Sequence, residues 1–153
     1  MQLSFETLQE LCLNELTENE EEIALVMEEL AGSQVTKLQT LDLGYNRKWF
    51  AEIDNELIVT EFIGRQEKLQ VLRLYCNMLS SEATDELLTQ LAQCKAVKTI
   101  QKIDLEYSAN FDSDVAVQAL ANIVATAPQL KKCDIQFQRG TPVSYTHLRA
   151  HET

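Results

Sequence analysis

A few carboxylates and thiols are the side chains in this sequence that could do chemistry. Asp104 and Asp134 are well separated in the sequence, but two carboxylates that a fold holds side by side can divide the roles of general acid and general base. Cys12 and Cys76 could act as nucleophiles if a base lay within hydrogen-bonding reach. Both interpretations depend on the elements that position these residues and on whether those elements enclose a substrate.

The sequence offers little that could support catalysis or metal binding. Its only histidines, His147 and His151, lie among the last seven residues, so the preceding part lacks the commonest general base and the commonest metal ligand. The two histidines form an H-x-x-x-H pair with Glu152 beside it. A metal site would need a third and a fourth ligand, and these are not evident. The chain contains no P-loop, G-x-G-x-x-G or H-E-x-x-H motif. We therefore expect a protein that is not an enzyme and that holds no cofactor or metal.

The composition excludes other classes of function. The 153 residues include 24 Asp and Glu against 13 Lys and Arg, for a formal net charge of −11, and such a chain repels the phosphate backbone of nucleic acids. No apolar run approaches the roughly 20 residues of a membrane-spanning helix, and residues 1–6 lack the features of a signal peptide. The four cysteines show no metal-binding spacing. We therefore expect a cytoplasmic protein with reduced thiols that binds neither nucleic acid nor membrane.

A sequence repeat must position these side chains. Five segments share apolar anchors at offsets 0, +3 and +5, and their first anchors follow one another at a nearly constant interval of about 30 residues. Alternating apolar residues predict a short strand in each segment. The anchors are Leu8/Leu11/Leu13, Leu38/Leu41/Leu43, Leu69/Leu72/Leu74, Ile100/Ile103/Leu105 and Leu130/Cys133/Ile135. After the first four strands the spacing becomes helical, at Ile23/Met27/Leu30, Ile53/Leu57, Ala83/Leu87/Leu91 and Ala116/Leu120/Ile123.

Two segments also carry an asparagine at offset +8. One reads LQTLDLGYN and ends at Asn46, and the next reads LQVLRLYCN and ends at Asn77. Here the sequence resembles the leucine-rich repeat family, whose segment reads L-x-x-L-x-L-x-x-N, and the long period resembles its ribonuclease-inhibitor-like subclass. The other segments depart from the pattern with Leu16, Ser108 and Gln138. Because the family's asparagine bonds loop backbone groups, we expect those loops to satisfy their polar groups differently.

The resemblance implies an α/β fold, a right-handed leucine-rich-repeat solenoid with a parallel sheet on the concave side and helices on the convex side. A strand, a helix and a parallel strand in succession close into a right-handed coil. One repeat buries too little apolar surface to be stable alone, so we expect the repeats to stack. The predicted domain covers residues 1–138, about four and a half repeats. Its strands are predicted near residues 10–14, 40–44, 71–75, 102–106 and 132–136.

Residues 139–153 fit neither the repeat nor the acidic composition. The stretch VSYTHLRAHET resembles a translated adaptor or cloning sequence, so we expect this tail to be disordered or foreign to the protein. The fifth segment then supplies a strand without a helix, and Leu130, Ile135 and Phe137 would face an open end. Natural repeat proteins cover such ends with an atypical terminal unit. We therefore expect the chain to be a fragment of a longer repeat protein.

Side chains that alternate with the anchors are predicted to lie on the concave face, in rows across the sheet. Arg73 is predicted to lie between Asp42 and Asp104 and to neutralise both. Because aromatic residues and Arg are enriched at interface hot spots, Tyr75 beside Arg73 is a candidate contact. The predicted partner-binding residues are Asp42, Arg73, Tyr75, Lys102, Asp104, Glu106 and Asp134.

The sequence thus predicts a protein-binding module that recognises a partner protein through its concave sheet and adjoining loops. A long curved surface suits extended recognition and encloses a small substrate poorly, which disfavours catalysis by Asp104 and Asp134. Trp49, Phe50 and Phe111 are predicted to pack under the helices. An alternative is a regulatory fragment of a GTPase-activating-type or signalling leucine-rich-repeat protein, since such activating proteins resemble this subclass. The sequence identifies neither the partner nor the oligomeric state.

Overall fold

The structure is a computed structural model of the chain, and it describes residues 7–14 and 20–135. The strands are β1 (Glu10–Cys12), β2 (Thr40–Asp42), β3 (Val71–Arg73), β4 (Lys102–Asp104) and β5 (Lys132–Asp134). The helices are α1 (Glu20–Ala31), α2 (Arg47–Phe50), α3 (Ile53–Gly64), α4 (Ser81–Gln93) and α5 (Asp114–Thr126), with a 3-10 helix at Lys95–Lys98. Within this part of the chain, every helix is too short or too polar to cross a membrane.

The five strands form one parallel sheet in the order in which they occur along the chain. Residues at the same offset pair with one another in every neighbouring pair of strands. The middle row of the sheet is Leu11, Leu41, Leu72, Ile103 and Cys133. A parallel neighbour needs a long return, usually through a helix, and the repeat interval of about 30 residues supplies it. The fold is therefore α/β with a five-stranded parallel sheet, and the predicted register is confirmed.

Each strand is shorter than predicted, as β2 illustrates. It ends at Asp42, and two further backbone bonds to the next segment follow, from the Leu43 N–H to Arg73 O (2.9 Å) and from the Tyr45 N–H to Tyr75 O (3.1 Å). The Asp42 Oδ1 then accepts a hydrogen bond from the Gly44 N–H (3.1 Å). The Gly44 N–H thus bonds to a nearby side chain, as Asp often arranges where a backbone leaves regular structure. For the fifth strand, predicted residue 136 lies outside the described residues.

The core lies between one face of the sheet and the helices. The apolar anchors of the segments that contain β2 to β5 are buried, and so are the predicted apolar faces of α1, α4 and α5. The predictions for these three helices are therefore confirmed. In α3 the prediction is wrong for Leu57, which is 39% exposed, and the residues buried there include Val59, Phe62 and Ile63. The side chain of Ile53, the other predicted residue, lies outside the described part of the structure. Apolar residues lie on several sides of α3, so the spacing alone does not select the buried face.

Aromatic residues at the helix starts and apolar residues near the last strand also belong to this core. Trp49, Phe50 and Phe111 are buried, so the prediction that they pack under the helices is confirmed. Leu130 and Ile135 are buried as well, so the expectation of an exposed apolar end is wrong for both, whereas Phe137 lies outside the described residues. Their side chains join the same cluster as the preceding anchors.

Buried polar side chains connect neighbouring segments. Gln66 is fully buried; its Oε1 accepts a hydrogen bond from the Leu38 N–H (3.0 Å) and its Nε2 donates to Val35 O (3.0 Å). The buried Glu56 accepts, through Oε2, from the Ser80 N–H (2.9 Å) and from the Ser80 hydroxyl (3.1 Å) at the start of α4. A buried polar group without a partner costs about 1–3 kcal/mol, so these bonds fix the relative placement of adjacent segments.

Candidate functional site

The loops after β2 and β3 support the candidate site, and Asn77 holds them together. Its Oδ1 accepts a hydrogen bond from the Asn46 N–H (2.6 Å), and its Nδ2 donates to Leu43 O (3.0 Å) and Leu74 O (2.9 Å). Asn46 makes similar bonds one segment earlier, from Nδ2 to Leu13 O and to Leu43 O (both 2.8 Å). Both asparagines are buried, so their amides satisfy backbone groups that water does not reach.

Ser108 takes the asparagine's place in the loop after β4. Its Oγ accepts a hydrogen bond from the Asn77 N–H (2.7 Å) and donates to Leu74 O. One hydroxyl thus acts both as acceptor and as donor, as the amide of Asn77 does in the preceding loop. The prediction that loops without the asparagine satisfy their polar groups differently is confirmed for Ser108, whereas Leu16 and Gln138 lie outside the described residues.

The residues directly before Asn46, Asn77 and Ser108 have a left-handed backbone conformation. Tyr45, Cys76 and Tyr107 have φ values of 59°, 59° and 55°, and Met78 has a φ of 52°. The first three occupy offset +7 of their segments, so one turn recurs in three consecutive loops. Bulky residues rarely adopt this region. Sequence reasoning missed the turn because no glycine occupies offset +7 to mark it.

Tyr75 lies across the end of β2, directly over Gly44. A Cβ on Gly44 would come within 2.4–2.7 Å of three atoms of the Tyr75 ring. The Asn14 Nδ2 donates a hydrogen bond to Tyr75 Oη (3.1 Å), and the ring of Tyr45 meets that of Tyr75 edge-on, with centroids 5.2 Å apart. Burial, and then the charge of Asp42, raise the pKa of Tyr75. Contacts on three sides therefore hold Tyr75 at the carboxyl end of the sheet.

Asp42 stabilises the position of Tyr75 through Gly44 and Asn14, both of which contact the tyrosine. It is only 5% exposed. Besides the bond from the Gly44 N–H, its Oδ2 accepts a hydrogen bond from Asn14 Nδ2 (3.4 Å). Asn14 thus bonds to both Asp42 and Tyr75. The structure therefore brings Asp42 near Tyr75 and places it under the surface.

Arg73 lies between Asp42 and Asp104 in its row but forms no ion pair with either. Among the described residues, the ion pairs closer than 4 Å are Lys95–Glu67 and Lys132–Asp134. Arg73 thus lies between the two carboxylates as predicted, but the predicted neutralisation involves no direct ion pair with either of them. Burial raises the pKa of Asp104, and the charge of Arg73 opposes this only weakly. The Arg73 Nε is buried without a hydrogen-bond partner in this part of the chain.

Asp104, Glu106 and Asp134 bring their carboxylates within 4.8 Å of one another. The Asp104 Oδ1 accepts a hydrogen bond from the Glu106 N–H (3.2 Å), and Lys132 Nζ lies 3.0 Å from Asp134 Oδ2. Burial raises the pKa of Asp104, the charge of Asp134 raises it further, and Lys102 lowers it. Carboxylate oxygens are ligands that divalent cations prefer, and within the described ranges these three residues form the group able to hold one.

The thiols of Cys12, at the sheet face, and of Cys133, in the core, are poorly suited to nucleophilic attack. Burial, followed by the charges of Asp42 and Glu10, raises the pKa of the exposed Cys12. Burial also raises the pKa of Cys133, to about 12. A thiol with a raised pKa stays protonated at neutral pH, whereas the thiolate is the nucleophile. The surroundings of Cys12 therefore favour the thiol.

Two open grooves lie beside other residues. One of about 720 Å³ runs between α4 and α5, and its lining includes Gln93, Val115 and Gln118. Another of about 520 Å³ is lined by Arg47, Lys48, Ala51, Asn77 and Met78. Neither lining includes a residue predicted to bind a partner.

Comparison with known proteins adds no relative to this picture. No protein-family model matches the sequence, no curated protein matches it, and no solved structure matches it. The functional interpretation therefore rests on the geometry of the described residues.

Proposed function

We propose that this chain forms a leucine-rich-repeat solenoid of the ribonuclease-inhibitor-like type and serves as a protein-binding module. Support comes from the parallel strands, which pair in register and in the order of the repeated segments. The buried side chains of Asn46, Asn77 and Ser108 bond successive loops in the same way. A structure in which each unit contacts mainly its neighbours is typical of solenoid proteins.

The proposed binding surface is the face of the sheet away from the helices, together with the loops at the carboxyl ends of the strands. Arg73, Tyr75, Lys102, Asp104 and Glu106 are partly exposed there. The two remaining predicted contacts, Asp42 and Asp134, are buried, so their role is to hold the surface in place. The face is open and carries charges of both signs, which suits a macromolecular partner better than a small substrate.

The observation that carries this proposal is the fixed position of Tyr75. Gly44 against the ring, Asn14 at its hydroxyl and the edge-on contact with Tyr45 leave the side chain little freedom. A side chain that is already ordered loses less entropy when a partner binds. Tyrosine and arginine are also enriched at interface hot spots. Arg73, two residues before Tyr75, lies in the adjoining row of the sheet.

Comparative affinity capture tests the proposal. The immobilised full-length chain and its double variant Arg73→Ala/Tyr75→Ala are exposed to the same lysate, and bound proteins are quantified by mass spectrometry. A second variant, Leu25→Ala/Val115→Ala, changes exposed apolar residues on α1 and α5. We expect specific partners to be retained by the wild type and by this helix variant and lost from the first variant. Equal capture by all three would contradict binding through the sheet face.

A further inference from the structure

We propose that one of the two open grooves, here called the basic groove, receives a short acidic segment of the partner protein. The basic groove has a volume of about 520 Å³ and is lined by Arg47, Lys48, Ala51, Asn77 and Met78. One wall is α2 with the residue that follows it, and the other is the loop after β3. The inference rests on the proposed function and adds the chemistry of the partner that these adjoining loops recognise.

Contacts between its two walls make the basic groove one continuous surface. The Arg47 Nη2 donates a hydrogen bond to Met78 Sδ (2.6 Å), from one wall to the other. In the buried layer beneath, the Asn77 Oδ1 accepts a hydrogen bond from the N–H of Asn46, the residue directly before Arg47 (2.6 Å). The walls are therefore joined both at the surface and below it.

The two cations of the basic groove have no carboxylate partner in the described part of the chain. That part contains two pairs of adjacent basic residues, Arg47–Lys48 and Lys131–Lys132. In the second pair, Lys132 Nζ lies 3.0 Å from Asp134 Oδ2. Neither Arg47 nor Lys48 lies within 4 Å of a described carboxylate. Because the thioether that Arg47 contacts is only a weak acceptor, its guanidinium remains able to bind a carboxylate, for which it has the matching geometry.

Met78 supplies the basic groove with an apolar contact. Its side chain is 51% exposed, and its backbone is left-handed, with a φ of 52°. Residues with large side chains rarely adopt this conformation, and such strained positions cluster at sites that hold ligands. Methionine is also enriched at protein interfaces, and the exposed Ala51 lines the same groove. An apolar side chain of the segment would pack against these two residues.

The charge of the lining selects the sign of the segment. Among the described residues of the lining, Arg47 and Lys48 are the charged ones. A basic segment would place like charge against both of them, which is unfavourable, whereas a carboxylate is attracted. The acidic residues that lie closest to the lining along the chain are all exposed, and they are Glu52, Asp54 and Glu82. They lie outside the lining, so solvent screens their effect on a bound carboxylate.

The acidic character of the whole chain leaves this preference in place. The formal net charge is −11, but salt at physiological strength screens exposed charges beyond about 8 Å. The carboxylates of Asp104, Glu106 and Asp134 form their own group in the segments of β4 and β5 and do not line the groove. We therefore expect the two cations of the lining to determine the affinity for an acidic segment.

The contact between the walls also sets the pattern that the segment must have. Because the Arg47 guanidinium touches the Met78 thioether, the carboxylate and the apolar side chain of the segment must lie close together. In an extended chain, side chains on one side are two residues apart, about 7 Å. The segment would thus carry Asp or Glu about two positions from an apolar residue, with a second carboxylate for Lys48.

A random decapeptide library displayed on phage tests the inference. It is panned on the immobilised full-length chain at about 0.15 M salt. We expect enrichment of peptides with a net negative charge and an apolar residue about two positions from Asp or Glu. The best peptide is then synthesised together with an amide version, in which Asn and Gln replace Asp and Glu. Fluorescence anisotropy should show that the amide version binds at least about fivefold more weakly.

Variants of the chain separate charge in the groove from general attraction. Arg47→Gln/Lys48→Gln should weaken the acidic peptide by about the same factor and leave the amide version unaffected. The matched control, Lys98→Gln/Lys131→Gln, removes the same charge from exposed positions before β4 and β5 and should leave affinity within about twofold. Far-UV circular dichroism confirms that each variant is folded. If both double variants weaken binding equally, general attraction explains the result and the inference is wrong.

A variant of Met78 tests the apolar contact. Met78→Gly removes the side chain and still permits the left-handed backbone, so it should weaken both the acidic peptide and its amide version. The matched control is Leu25→Ala, which truncates an exposed apolar residue on α1 and should leave both affinities unchanged. Equal affinities of Met78→Gly and the wild type would overturn the placement of the segment in the basic groove.

The remaining outcomes distinguish this inference from the proposed function. Acidic peptides that lose affinity in Arg73→Ala/Tyr75→Ala but not in Arg47→Gln/Lys48→Gln would overturn the basic groove and leave binding by the sheet face intact. Enriched peptides that are neutral or basic would overturn the acidic segment. Peptides whose affinity is unchanged by every variant of the groove and of the face would overturn both. Panning that enriches no peptide above an uncoated support would overturn the inference.

Discussion

The ring of Tyr75 packs directly on Gly44, closer than a side chain at position 44 allows. Three ring atoms lie within 2.7 Å of the point where a Cβ would be. The contact joins the ends of β2 and β3, and the Asn14 amide bonds to the hydroxyl of the same tyrosine. The glycine thus determines the position of the aromatic residue at the centre of the proposed binding surface.

Replacing Gly44 with alanine should displace Tyr75 and destabilise the protein. Because the added methyl group overlaps the ring, we expect the free energy of unfolding in urea to fall by about 1–3 kcal/mol. Gly32→Ala is the matched control, since the nearest atom to its added Cβ would be 3.6 Å away. Its stability should equal or exceed that of the wild type. A Gly44→Ala protein as stable as Gly32→Ala would show that the ring moves aside without cost.

The Asn77 side chain should be the most sensitive polar group of the loops. Asn77→Ala removes an acceptor for the Asn46 N–H and a donor to two buried carbonyls, so we expect a loss of about 2–4 kcal/mol in the free energy of unfolding. Asn122→Ala, at an exposed position of α5, should cost less than about 1 kcal/mol. Equal losses in the two variants would contradict the role of Asn77 in joining the loops.

The four thiols should react with a labelling reagent in an order set by burial. Cys12 is exposed, whereas Cys94 and Cys133 are buried, so Cys12 should be modified in the folded protein and the buried pair only after unfolding. Because its pKa is raised, the labelling rate of Cys12 should still be increasing at pH values where an ordinary thiol is already ionised. Mass spectrometry of labelled peptides identifies each site. Fast labelling of Cys133 in native conditions would contradict the described core.

The contribution of Asp104 to the free energy of unfolding should be less favourable at neutral pH than at acidic pH. Its pKa is raised in the folded state, mainly by burial, so ionisation opposes folding above that pKa. This destabilising contribution is relieved as the pH falls through the folded pKa towards the unfolded one. Asp104→Asn should therefore be more stable than the wild type at pH 7, and the difference should shrink as carboxylates are protonated.

Urea unfolding at pH 7 and at about pH 4, within the usual carboxyl range, measures this effect. The comparison of wild type with variant cancels the contributions of distant titrating groups. Asp112→Asn, an exposed loop position, serves as the control and should show no such convergence. An Asp104→Asn protein that is less stable than the wild type at pH 7 would show that the ionised carboxylate contributes favourably through its hydrogen bond from the Glu106 N–H.

The strands and their register could be predicted from the sequence because their cause is local and periodic. Leu41, Leu72 and Ile103 each lie midway between two other apolar anchors, and one face of a sheet must be buried for the strands to pair. The helix α3 shows the limit of the same method. Leu57 fits a helical spacing but is exposed, because apolar residues surround that helix and only the packing of its neighbours decides which of them is buried.

The site was less predictable than the fold because its details depend on contacts between segments. The row containing Arg73 and Asp104 follows from the register, but whether Arg73 forms an ion pair depends on side-chain conformations that the repeat pattern does not specify. The left-handed Tyr45 and Tyr107 carry no local mark of their conformation. Their exposure becomes evident only when successive loops are placed side by side.

Nuclear Overhauser spectroscopy of the labelled chain tests the central claim, that the repeated segments form parallel strands in register. For Leu41, Leu72 and Ile103, which pair in one row, the account predicts cross-peaks between amide and α protons of neighbouring strands. Close contacts between the α protons of facing residues are typical of antiparallel pairs. Such contacts, or an absence of cross-peaks between strands at these three positions, would contradict the fold and the binding surface proposed on it.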